Sequence, residues 1–349
     1  MDNLLSNSVL RPCAGFWNDP RWNTTEARAG DPVIGHVAKA IFTPMVAFGK
    51  WGVFDLQGTI IRDATDYKGP QNEDLVQVPE MPCSLDNVVD GGVSNVIFGG
   101  RINLYYGHFL FETLPRLWSV AQHGLGGRKV LVQAQWPMDQ WINHHFVQVF
   151  LSALGIQRSD IIQCTRPEIY HDVEIALPCL RQNAWVYPQA TQELFTRIGS
   201  NILGGAPRNA NSTPVYISKT KLTHKISGIV NEIEIENILK EKGVDIVYPE
   251  TMSIKDQLLL FRDREVILGT VGSAFHSAGF AQSQARQIMI AHGERVNPNY
   301  GLLDIAFNSK TEYYYTDLIA EVGKTSDTGY ALHCKDTRAV AESLLKLIS

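Results

Sequence analysis

From residue 215 onward, short apolar runs alternate with amphipathic stretches in a rhythm that a parallel sheet covered by helices satisfies. Residues 215–218 read as a strand, 231–242 as a helix, 244–248 as a strand, 253–262 as a helix and 266–268 as a strand. A Gly-rich turn with a helix follows, and then a strand over 287–291. This β-α-β-α-β-α-β order predicts a Rossmann-like half. A further strand over 312–316 and a closing helix over 337–348 complete the reading. Asn231, with Glu234 three residues on, has the spacing of a capping box.

The first part of the chain is less regular. Residues 30–100 read as β-rich, with short runs at 39–46, 51–56 and 59–62 broken by Gly, Pro, Asp and Asn. A helix around His108 comes next, then a strand over 129–133, a helix around 141–154 and a strand over 173–177. The stretch 199–214, rich in Gly, Asn, Ser and Pro, is the clearest compositional break and reads as a linker. A chain of 349 residues is long enough for two cores. The expected domains are 1–200 and 201–349, with the last helix free to pack back on the first.

Composition narrows the function classes. Hydrophobic content of 44% with 19% charge suits a water-soluble globular protein. A net charge of −5, with no basic block, argues against a general nucleic-acid binder. Cys13, Cys83, Cys164, Cys179 and Cys334 form no C-x-x-C pair, so buried free thiols are expected. No signal-peptide pattern and no membrane-length apolar run is present. A cytoplasmic location follows as an expectation, with peripheral contact at the inner face of a membrane and homo-oligomerisation left open.

Residues 106–118 carry the most chemistry. On a helix, His108, Glu112 and Arg116 fall on one edge, while Leu110, Phe111, Leu114, Leu117 and Trp118 cluster opposite. An imidazole and a carboxylate in register are an acid–base device. They are equally an i,i+4 pair that stabilises a helix. Pro115 should kink or end the helix. In the second half, 269–279 follows a strand and opens a helix, with Gly272 and Ser273 at the turn and His276 beyond. Small residues and free N–H groups there favour an anion. Residues 215–225, ending in Lys219, Lys221, His224 and Lys225, leave the same sheet edge and suit a diphosphate. No Asp-x-Asp occurs, so lysines and helix dipoles are the expected diphosphate partners, and no metal is called for.

Three blocks together resemble glycosyltransferase family 61, which includes bacterial capsule and polysaccharide enzymes and eukaryotic xylosyl- and N-acetylglucosaminyltransferases. They are Tyr105 to Leu117, Tyr216-Ile217-Ser218-Lys219 with Asn231-Glu232-Ile233-Glu234, and Gly269 to Gly279. Glu112 stands where the family usually has Asp, Lys219 where it has Arg, and Val271 where it has His. The resemblance implies an α/β, GT-B-like fold of two Rossmann-like domains facing a cleft. It also implies an inverting transfer from a nucleotide-diphosphate sugar, with a UDP-sugar favoured, to a glycan or lipid-linked glycan hydroxyl. In that reading Glu112 is the base, assisted by His108, and Arg116 holds the acceptor. His108 as base, oriented by Glu112, is the close alternative. Lys219, Lys225, Gly272, Ser273 and His276 serve the diphosphate, and Glu294 a ribose hydroxyl. A catalytically inactive nucleotide-sugar or glycan-binding protein on the same fold is the rival. A nicotinamide-dependent enzyme lacks its G-x-G-x-x-G, and a hydrolase using the His108–Glu112 pair has neither a G-x-S-x-G elbow nor a metal triad to support it. Trp17, Trp22 and Trp51 are candidates for stacking on sugar rings.

Overall fold

A computed structural model describes residues 9–11, 25–45, 49–68, 74–222, 227–291, 293, 296–325 and 329–348. They fall into two compact units, one of Thr24–Ile202 and one running from Leu203 that takes in the strand Val9–Arg11. Of the residues singled out above, Cys13, Trp17, Trp22, His224, Lys225 and Glu294 lie outside the described residues.

The first unit is built on a six-stranded mixed sheet. Its order is Val53–Phe54, Ile34–Phe42, Glu168–Ala176, Val89–Ile102, Lys129–Ala134 and Ile161–Gln163. The first two pairings are antiparallel and the other three parallel. Phe42 sits edge-on to both Phe98 and Tyr170, with centroids 5.3 Å apart in each case, inside a core that includes Val96, Leu131 and Val173. The expected strand at 59–62 forms only isolated bridges at Thr59 and Ile60, followed by a 3-10 turn at Arg62–Ala64. Asp55 causes this: its carboxylate accepts the N–H of Gln57 and of Thr59, both at 2.9 Å, and folds the segment into a turn. The helix expected over 141–154 is split into Met138–Trp141 and His145–Ala153.

The linker begins later than composition suggests. Helix Pro188–Leu203 runs straight through Gly199, because Leu194, Phe195 and Ile198 bury completely on one face and outweigh the weak helix propensity of a single glycine. Gly204 and Gly205, at φ 60° and 72°, then end it with left-handed backbone that other residues adopt at a cost.

The second unit is built on a six-stranded sheet whose strands are all parallel. Their order is Asp245–Val247, Val215–Ile217, Val266–Thr270, Arg286–Ile290, Lys310–Tyr314 and Val9–Arg11. Numbered from Val215 this is 2-1-3-4-5, the flavodoxin-like winding, with the topological switch point between Val215–Ile217 and Val266–Thr270. Ile217 pairs with Gly269, where a Cβ would lie 2.6 Å from the Ile217 carbonyl oxygen, so the close approach of the two strands demands glycine. Closing helix Thr337–Ile348 packs on Glu232–Glu241, its Val340, Ala341 and Leu344 joining Ile235 and Leu239 in the core. An antiparallel hairpin, Ile319–Lys324 and Tyr330–Cys334, was not anticipated. It explains why the capping box fails. Asn231 holds the N-cap position, but its side chain exchanges two 3.0 Å hydrogen bonds with the backbone of Cys334. Glu234 accepts instead from Thr337.

Candidate active site

The 106–118 segment is one continuous coil with three different pitches: α at Tyr106–His108, π at Phe109–Thr113 and 3-10 at Leu114–Leu117, before α resumes at Trp118–His123. The apolar side folds as its spacing requires, with Leu110, Phe111, Leu114, Leu117 and Trp118 all buried. Pro115 sits in the tightened 3-10 turn, where the α-helical hydrogen bond it cannot make is not needed. The π turn is anchored to the adjacent strand end, since Thr113 Oγ1 donates to the Arg101 carbonyl at 2.7 Å.

This anchoring places Glu112 against the last residues of strand Val89–Ile102. Oε2 of Glu112 accepts from Arg101 Nη2 and, at 3.1 Å, from Asn103 Nδ2. Oε1 lies 2.7 Å from Nδ1 of His108. The Glu112 side chain is only 8% exposed, whereas that of His108 is 38% exposed. The carboxylate is therefore the buried, triply held member of the pair, and the imidazole is the member that meets solvent. Arg101 Nε also lies 3.2 Å from Asp66 Oδ2, which extends the charged chain inward.

Arg116 departs from the expectation. Changing pitch between His108 and Arg116 breaks the common edge that a uniform helix would give, and the guanidinium turns into the protein, 1% exposed. It donates to the carbonyls of Asp63 (2.8 Å), Ala176 (3.2 Å) and Thr65 (2.7 Å) and lies 3.5 Å from Asp66. Burial pulls its pKa below the usual guanidinium value, opposed by Asp66. Its stem crosses Gly100, whose φ of 80° and missing Cβ (2.8 Å from Arg116 Cδ if present) make room for it. Arg116 is thus an interior tie between three chain segments and does not hold an acceptor. Trp51 is likewise buried in the core and offers no face to a sugar.

In the second unit, the residues after the two switch-point strands meet as expected. Lys219 Nζ donates to the Val271 carbonyl at 2.6 Å and lies 3.4 Å from that of Ser227. Gly272 is extended, at φ −174°, and its missing Cβ would sit 2.8 Å from Lys219 Cε, so the lysine stem lies across it. Half-buried Ser273 opens a single 3-10 turn to His276, and the α-helix that follows is only Ser277–Ala281. His276 is buried, its ring tilted against that of Tyr300 with centroids 4.9 Å apart, and burial pulls its pKa down to about 3. It is a neutral interior imidazole and supplies no charge to a diphosphate.

Two acids, Glu232 and Glu236, organise this edge. Glu232 accepts from Tyr216 OH at 2.9 Å and from Thr270 Oγ1 at 3.3 Å, so one carboxyl joins both switch-point strands. Burial raises its pKa, opposed by the Tyr216 hydrogen bond and by Lys219. Glu236 accepts from Ser218 Oγ, from Thr220 Oγ1 at 2.6 Å and from Tyr248 OH at 2.9 Å. Arg101, Asn103 and Glu236 are not among the residues the sequence singles out, and Glu232 enters there only within a motif, with no role of its own. The signal existed: Arg101 and Asn103 lie two residues apart across the end of a strand, and the two glutamates lie one helical turn apart. Their partners are distant in sequence, however, and only the fold supplies them.

The sequence model of the family described as Glycosyltransferase 61 matches residues 106–288, just over half of the chain. The chain belongs to glycosyltransferase family 61. Its matched segment begins at Tyr106, two residues before His108, and runs through the switch-point strands. No curated protein sequence matches the chain. Among solved structures, E. coli heptosyltransferase WaaC with ADP is similar at 12% identity and a TM-score of 0.34, over 74% of this chain and 100% of that one. Among the described residues, no cluster of three or more His, Cys, Asp or Glu is arranged to hold a metal, and no helix is long and apolar enough to cross a membrane.

Proposed function

We propose that this glycosyltransferase performs an inverting, metal-independent transfer from a nucleoside-diphosphate sugar to a hydroxyl of a glycan or lipid-linked glycan. The observation that carries the proposal is the 2.7 Å contact between a half-exposed His108 and a buried Glu112 that Arg101 and Asn103 hold in place. A carboxylate beside Arg101 is acceptor-only, so His108 Nδ1 carries the proton and Nε2 keeps its lone pair. His108 Nε2 is then the base and Glu112 orients it and stabilises the imidazolium, which reverses the order of preference drawn from the sequence. The acceptor oxygen attacks the anomeric carbon as its proton passes to Nε2, the bond to the diphosphate oxygen breaks, and the diphosphate departs with the electron pair.

The departing charge needs a cation. The Lys219 ammonium at the switch point, with backbone N–H groups around Gly272 and Ser273, is the proposed diphosphate site, since ligands of such sheets bind beyond the strand carboxyl ends at that crevice. A GT-B arrangement of the two units around a common cleft is part of the proposal, as the family implies. The test is release of nucleoside diphosphate from a panel of nucleoside-diphosphate sugars, with and without oligosaccharide acceptors. His108→Ala and Glu112→Gln should each lower turnover at least about 100-fold. Turnover near wild type in His108→Ala refutes the base assignment. Nucleotide binding with no turnover of any donor favours the inactive binding protein.

A further inference from the structure

Two large aromatic side chains stand in solvent at the edge of the first unit that carries His108. Tyr105 is 69% exposed and Trp136 is 47% exposed. Both follow neighbouring parallel strands, Val89–Ile102 and Lys129–Ala134, whose last residues Ile102 and Ala134 are register partners. The two rings therefore leave the same carboxyl edge of the sheet, three and two residues beyond that last pair. Neither backbone is loose. The Tyr105 N–H donates at 3.0 Å to Oδ1 of Asn103, the residue whose Nδ2 holds Glu112. The Trp136 carbonyl accepts from Gln163 Nε2 at 2.9 Å, and Gln163 is itself fixed by Trp141 Nε1 at 3.0 Å. Tyr105 meets the His108 ring edge-to-face, at 6.2 Å and 71°.

A lone exposed aromatic needs no explanation, but two on fixed backbones at one sheet edge, the first of them against a solvent-facing imidazole, call for an occupant. The faces of a pyranose ring present C–H groups of slight positive charge to the negative face of an aromatic ring, while its hydroxyls stay free to meet polar groups. We propose that Tyr105 and Trp136 form the acceptor subsite, stacking sugar rings of an oligosaccharide so that one hydroxyl reaches His108. Held backbones reduce the ordering cost of binding, which is what a weak, stacking-dominated site requires. This inference rests on the first unit binding the acceptor and on His108 as its base.

The test labels the protein with 5-fluorotryptophan and titrates xylotetraose, chitotetraose, maltotetraose and mannotetraose without any donor. The Trp136 resonance is assigned by its loss in Trp136→Phe. At least one tetraose should shift that resonance saturably. Tyr105→Ala should weaken the same tetraose about tenfold, and Tyr105→Phe should largely restore it. Melting temperatures of both variants identify any misfolded protein, and Tyr105→Leu repeats the measurement if the alanine variant is unfolded. No shift with any tetraose, or binding indifferent to Tyr105→Ala, overturns the subsite. Tetraose binding without turnover by the wild type would instead leave the subsite standing and count against the transfer mechanism.

Discussion

Replacing Arg116 by Met separates the interior role of this residue from an acceptor-binding one. The methionine keeps the apolar stem over Gly100 and near Phe98 but removes every donor. Three carbonyls, those of Asp63, Thr65 and Ala176, lose their partner. An unsatisfied buried acceptor costs about 1–3 kcal/mol. Asp63 lies in an exposed turn where water can replace the guanidinium, so Thr65 and Ala176 dominate. Together the losses amount to about 4 kcal/mol, a large fraction of the stability of an ordinary domain. In a unit of this size each kcal/mol moves the melting temperature by about 2–4 °C, so a fall of about 10 °C is expected. Differential scanning calorimetry of wild type, Arg116→Met and Arg116→Lys measures it. Lysine should recover part of the loss, as a single ammonium cannot reach all three carbonyls. An unchanged melting temperature with abolished transfer would refute the interior role and return Arg116 to the acceptor.

His276 should make the second unit acid-sensitive. Unfolded, its imidazole takes a proton near about 6.5; folded, it does so only at about 3. Between those values the unfolded chain binds more protons, so stability falls as pH is lowered through that window. Melting temperature against pH should therefore drop more steeply for wild type than for His276→Leu below about pH 6.5, and parallel curves would refute the cause. Gly272→Ala and Gly269→Ala form a second contrast. The first brings a Cβ to 2.8 Å from the movable end of Lys219, at a φ any residue adopts, and should weaken nucleoside-diphosphate binding about tenfold while leaving melting nearly unchanged. The second brings a Cβ to 2.6 Å from the backbone oxygen of Ile217 and should cost about 1–3 kcal/mol of stability by calorimetry.

The second unit was more legible in the sequence than the first. Its inner strands Val215–Ile217, Val266–Thr270 and Arg286–Ile290 are short, mostly buried apolar runs, and its helices repeat at 3.6 residues, so local pattern and final structure largely agree from Val215 to Ile290. The first unit has a mixed sheet, with a turn at Asp55 where β-forming residues alone suggest a strand. Pattern alone also missed helix Pro188–Leu203, whose composition at Gly199 reads as linker.

Chain order determined the alternation of strands and helices, the pairing of His108 with Glu112 four residues on, and the glycine–lysine edge that follows two strands. These depend on neighbours within a turn or a strand, and such distances are written in the sequence. Tertiary structure decided the rest. A π turn sent Arg116 inward, Arg101 and Asn103 closed on Glu112 from a different element, Asn231 left its helix cap for Cys334, and Glu232 bridged two strands. In each case a polar group removed from water had to take whichever partner the fold brought within 3–3.5 Å, and that choice is made in space, not along the chain.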